Sequence, residues 1–127
     1  MKKSISRQGT IKKLDKEFSL LVRTRDKWTC FRCYKVYTPP TSALHNSHFF
    51  SRRFYGTRWD LKNCDAACYG CHRYVEGDKQ GWYKEYKIKQ LGQQQYNYMQ
   101  MRAYGKTKFS HDDLDLLLDE IKRSRLD

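Results

Sequence analysis

The sequence predicts an α+β fold from three observations. Helical apolar periodicity marks both ends, two short strand-like stretches lie in the middle, and paired cysteines bracket those stretches. A length of 127 residues suits one small domain with a helical extension and excludes a large two-domain enzyme. Lys and Arg total 26 against 14 Asp and Glu, a formal charge of +12, which is the balance of a protein that meets nucleic acid. Aromatic residues make up 15% of the chain, ten of them tyrosine, so a compact core is expected rather than disorder. No apolar run approaches the ~18 residues of a membrane span, and Met1-Lys2-Lys3-Ser4-Ile5-Ser6 has no apolar signal region behind its lysines. The expectation is a soluble, cytoplasmic protein with no membrane partner. Five cysteines in such a chain point to bound metal rather than disulfides and leave one thiol over.

Residues 1–10, basic and containing Gly9, read as a loose arm. Ile11, Leu14, Phe18 and Leu21 then fall at helical spacing and predict an amphipathic helix over 11–26. Trp28 leads into the knuckle Cys30–Cys33, and the stretch that follows ends at Pro39-Pro40, which forbids a continued helix or central strand. Ala43–Phe49 reads as a strand, 50–63 as a basic loop, Cys64–Ala67 as a short second strand, and Tyr69 to about Glu76 as a helix. After Gly77 and Gly81 a helix starts at Gln80 or Trp82 and runs to Leu91, and Gly92 separates it from another over Gln93–Tyr104. The last helix runs from 111 to about 124, with Ser110 as its cap, acids in its first turn and a stripe of Leu114, Leu117, Leu118 and Ile121. His111-Asp112, which looks like a pair of metal ligands, is explained by that capping. The chain thus divides into a basic arm and helix at 1–27, a metal-stapled core at 28–78 and a helical extension at 79–127.

Cys30-x2-Cys33 and Cys68-x2-Cys71 are two chelating pairs. Thiolates two residues apart take adjacent corners of a tetrahedron, so two pairs make a closed structural zinc site around a treble-clef-like ββα unit. Such a site has no open position for catalysis. Cys64, on the second strand, reads as a core thiol. Between the pairs lie His45, His48 and Asn63, and His72 directly follows Cys71. A histidine ending a strand, an asparagine opening the next, and a histidine at a helix start are the parts of an HNH, or ββα-metal, nuclease site. In that chemistry His48 is the general base, Asn63 fixes the loop and orients His48 through its amide, and His72 is the preferred protein ligand of a catalytic Mg²⁺ or Mn²⁺. The competing explanation for His48 and His72 is packing beside the zinc of a binding module. His45 reads as structural.

The segment resembles the phage recombination proteins called NinG or Rap, which are HNH-related. The matching residues are Cys30 and Cys33, His48-Phe49, Arg52, Arg58-Trp59-Asp60, Asn63, and Cys68-x2-Cys71-His72. The Leu91-Gly92 break and the leucine-striped last helix also match, so the likeness covers roughly 28–126 and is strongest over 44–74. The resemblance implies a phage-encoded endodeoxyribonuclease acting in a bacterial host on branched intermediates such as Holliday junctions and D-loops.

One position departs from the pattern. Many HNH sites carry Asp or His just before the base, and this chain has Ser47, a poor ligand for a hard cation. His45, Asp60 and Asp65 are the substitutes, and Asp60, beside matched positions, is preferred. Arg52, Arg53, Arg58 and Arg73 are interleaved with Phe49, Phe50, Phe54, Tyr55, Trp59 and Tyr74, so cations for DNA phosphates alternate with rings for bases. Lys2, Lys3, Arg7, Lys12 and Lys13 would add salt-sensitive affinity. Cutting both strands of a junction needs two active sites, which makes a homodimer the expected assembly. Two other classes remain: a zinc-dependent nucleic-acid-binding module without catalysis, and a phage structural or adaptor protein whose helical tail binds a partner.

Overall fold

The computed structural model describes residues 5–78 and 80–126, and shows an α+β fold that is mostly helical with one two-stranded sheet. Lys2 and Lys3 of the basic arm lie outside the described residues. Helix α1 spans Arg7–Arg25 and starts four residues earlier than the apolar spacing predicts, because Ser6 Oγ accepts the Gly9 N–H at 3.0 Å. Residues 7–10 are therefore helical, not a loose arm.

Ile11, Leu14, Phe18 and Val22 form one face of α1. That face packs on Leu114, Leu118 and Ile121 of α6, His111–Leu126, so the first and last helices share one core. The start of α6 carries a reciprocal cap. Ser110 Oγ accepts the Asp113 N–H at 3.0 Å, and Asp113 Oδ2 accepts the Ser110 N–H at 2.9 Å. His111 turns instead to Thr10 Oγ1 at 3.1 Å, which leaves the His111-Asp112 pair to capping and packing.

Strands β1, Leu44–His48, and β2, Cys64–Cys68, pair antiparallel from Leu44↔Cys68 to His48↔Cys64. The free edge of β2 is occupied: Ala66 O accepts the Phe31 N–H, and Asp26 Oδ2 accepts the Ala66 N–H, both at 2.8 Å. These bonds satisfy backbone groups that a two-stranded sheet would otherwise leave unpaired. Helix α3, Tyr69–Val75, follows β2 at once, with Cys68 at its N-cap.

The connection between the strands is not a plain basic loop. It contains the short helix α2, Tyr55–Arg58, and a 3₁₀ turn at Leu61–Asn63. Helices α4, Trp82–Leu91, and α5, Gln93–Tyr104, meet at Gly92, whose φ of 84° lies in the left-handed region that favours glycine. Lys87 of α4 is fully buried, yet its ammonium reaches Asp65 Oδ2 and Lys62 O at 2.7 Å and Gln90 Oε1 at 3.0 Å. Tyr83 OH donates to the same Asp65 oxygen at 2.8 Å, so the buried charge pair is closed by hydrogen bonds and ties α4 to β2.

Helix α5 crosses α2 at Gly56. An added Cβ there would lie 1.9 Å from Arg102 O, a backbone atom of α5. Gly56→Ala is expected to destabilise the fold by about 2–3 kcal/mol, measured as a shift in urea midpoint at unchanged slope.

Candidate functional site

The knuckle after α1 and the start of α3 bring the two cysteine pairs together. The Sγ atoms of Cys30, Cys33, Cys68 and Cys71 all lie within 4.8 Å of one another, a cluster compatible with zinc. Sγ of Cys33 and Cys68 are 3.8 Å apart. Tetrahedral zinc–thiolate bonds of about 2.3 Å give an S···S edge of about 3.8 Å, so the donor set and its spacing both fit a structural metal. The Arg32 guanidinium, 3.7 Å from Cys71 Sγ and 3.6 Å above the Tyr74 ring, supplies positive charge beside the thiolates. Cys64 stands apart in the α1–α6 core, where burial pushes its thiol well above the ordinary range.

His48 ends β1 and faces a groove of about 750 Å³, which Asn46, Phe50, Arg52, His72, Glu76 and Tyr104 also help to line. Its Nε2 lies 2.9 Å from Arg58 O. A carbonyl can only accept, so Nε2 carries the proton and Nδ1 keeps a lone pair. Burial pulls the pKa of His48 down to about 4, against the opposing pull of the Arg58 carbonyl, and the ring is neutral at pH 7.

Asn63, wholly buried, closes the loop that carries this carbonyl. Its Oδ1 accepts the Phe50 N–H at 2.8 Å, and its Nδ2 donates to Phe50 O at 2.9 Å and Thr57 O at 3.1 Å. The expected direct contact of the Asn63 amide with His48 is replaced by this clip; the Arg58 carbonyl orients the imidazole instead.

His72 lines the same groove from α3, and its Nδ1 lies 3.1 Å from His45 Nδ1, so one of the two rings donates to the other. Burial and the neighbouring His45 lower the pKa of His72, while the Glu76 charge opposes them. The structure does not bring Asp60 to this place. Its Oδ1 accepts the Lys62 N–H at the 3₁₀ turn, its Oδ2 pairs with Arg102 at 2.6 Å, and it is not among the groove-lining residues. Asp65 is held by Lys87 and Tyr83, and Ser47 is buried with its carbonyl toward Tyr83 OH.

Of the four arginines read as DNA contacts, Arg52 is exposed at the groove and Arg53 is exposed farther along the loop. Arg73 is also exposed and donates to Tyr69 OH at 3.0 Å. Arg58 is turned inward: its Nη2 and Nε reach the Asp15 carboxylate at 2.7 and 3.1 Å, and Trp59 Nε1 donates to the same group. Its function is to fix the loop that holds His48. Nothing in the sequence marks Asp15, one of two acids in a basic helix, as the partner of Arg58, or His45 as the neighbour of His72; only the antiparallel register, which sets His45 opposite Ala67, brings it near the start of α3.

No family model, characterised protein or solved structure matches the chain. Among the described residues no helix is long and apolar enough to cross a membrane.

Elemental analysis of the purified protein is expected to find one zinc per chain, reduced by at least half in Cys33→Ser. A chelator should unfold the knuckle, seen as lost amide protection at residues 28–37. Imidazole NMR should show His48 as the neutral Nε2–H form down to about pH 4. The unfolded chain protonates this histidine near its ordinary value of 6.5 and the folded one does not, so stability is full above pH 6.5 and falls as pH drops toward 4. Over that interval urea unfolding of His48→Gln should depend on pH less steeply than that of wild type.

Proposed function

We propose that the protein is a metal-dependent DNA endonuclease of HNH type that acts on branched recombination intermediates. The observation that carries this reading is one groove holding a neutral histidine with its Nδ1 lone pair free, a second histidine, an exposed arginine and carboxylates. His48 Nδ1 takes the proton of the attacking water while Nε2–H stays on the Arg58 carbonyl, which keeps the ring in the productive tautomer. The imidazolium formed gains stability from that same carbonyl. Arg52, on the rim, grips the phosphate through its planar fork.

His72, steadied by His45 at Nδ1, keeps Nε2 for a metal, and Glu76 lines the same groove. An imidazole with a carboxylate suits Mg²⁺ or Mn²⁺, and Glu76, rather than Asp60, is the carboxylate that lines the groove with His72. A bound divalent cation would offset the charge that develops on the phosphate and the leaving oxygen. The net charge of +12 supports an anionic partner. Preference for four-way junctions rests on the NinG/Rap resemblance.

The non-catalytic binding module draws support from Ser47, which is buried where many related sites carry a ligand. A cleavage assay separates the two. Labelled four-way junction, linear duplex and single strand are incubated with Mg²⁺, Mn²⁺ or EDTA. Wild type should cut the junction only with metal, and His48→Ala should cut at least about 10²-fold more slowly while binding it equally well. Zinc-loaded wild type that binds DNA and cuts nothing with either metal gives the answer to the binding module.

A further inference from the structure

A second groove, of about 270 Å³, opens beside the first. One wall is Arg53, Phe54 and Tyr55, and the other is the end of α5 with the segment after it, including Tyr104, Lys106 and Lys108. Tyr104 lines both grooves, so the two adjoin at that residue. We infer that this second groove binds an unpaired stretch of nucleic-acid strand, continuing from the first groove, with a base stacked on Tyr104 and the flanking phosphates on Arg53, Lys106 and Lys108. The inference rests on the reading of the first groove as a DNA site.

Charge selects a polyanion. Among the described residues three cations line the groove and no acidic residue does. The ring selects an aromatic ligand: Tyr104 is 62% exposed and yet it is braced. Phe50 and Phe54 meet it at centroid distances of 5.6 and 5.3 Å with interplanar angles of 73° and 80°. A ring held this way loses little conformational freedom when a base covers it. Arg53 is likewise laid over Phe54 at 4.7 Å. The walls themselves are fixed by the close α2–α5 crossing at Gly56 and by the Arg102–Asp60 pair at 2.6 Å. An unpaired strand is favoured over a duplex because stacking needs a bare base face, which paired bases do not offer.

Fluorescence anisotropy with a labelled 15-nucleotide DNA single strand and a blunt duplex of the same length tests this. Tyr104→Ala should weaken single-strand binding about tenfold or more and duplex binding less than threefold, and Tyr104→Phe should restore the wild-type value. The Lys106→Gln, Lys108→Gln double variant should reduce the slope of log affinity against log salt for the single strand by about 1.4. Equal losses on both DNAs, no loss on either, or a glutamate-rich peptide binding as tightly as the single strand would overturn the inference. Unaltered single-strand binding by Tyr104→Ala in a protein whose cleavage still depends on His48 overturns this groove alone. A wild type that binds no DNA overturns the nuclease reading with it.

Discussion

The geometry around His48 depends on one buried amide. Asn63 sits at the point where the segment between the strands must turn back into β2, and its side chain satisfies backbone groups of Phe50 and Thr57 that would otherwise be stranded away from water. With those bonds made, the segment has one shape. Its Arg58 carbonyl meets the imidazole, its Arg58 side chain turns to Asp15, and Arg52 and Arg53 are left outside. An asparagine suits this position because only an amide offers an acceptor and two donors on one plane.

The same economy governs the rest of the small core. Two strands cannot bury two faces, so the sheet is covered by α1 with α6 on one side and by the aromatic cluster of Phe31, Phe49 and Tyr83 on the other. Lys87 enters that second layer as a charge, which costs solvation, and is met by Asp65, the Lys62 carbonyl and Gln90. The buried network ties α4 to β2 through directional bonds.

Local rules in the sequence were sufficient for much of this. Two strand-like stretches between the cysteine pairs and the cysteine spacing itself located β1, β2 and the four-thiol cluster, and the cap at Ser110 and the break at Gly92 placed the last three helices to within a few residues. The misses have physical causes. Ser6 caps α1 earlier than the apolar stripe begins, because capping acts on backbone donors and leaves no trace in periodicity. Helix α2 is four residues long and is held by α5, so its propensity says nothing about it. In the site, the positions of His48, Asn63 and His72 could be read in order along the chain. The choice of Asp60 failed because Arg102, far along the chain, already holds it, and the inward turn of Arg58 failed to show because its partner Asp15 lies 43 residues away.

The pairing of α1 with α6 sets the order in which the molecule can be completed. Contacts such as Arg7 to the Phe109 carbonyl and Thr10 to His111 span 102 and 101 residues. A ribosome adding about 5–20 residues each second needs about 5–20 s to make that length. Over that interval Ile11, Leu14 and Phe18 lack the leucines of α6 that they are built to meet. The nascent protein therefore carries an apolar face without its native cover until α6 has been made, which is the kind of surface that chaperones shield.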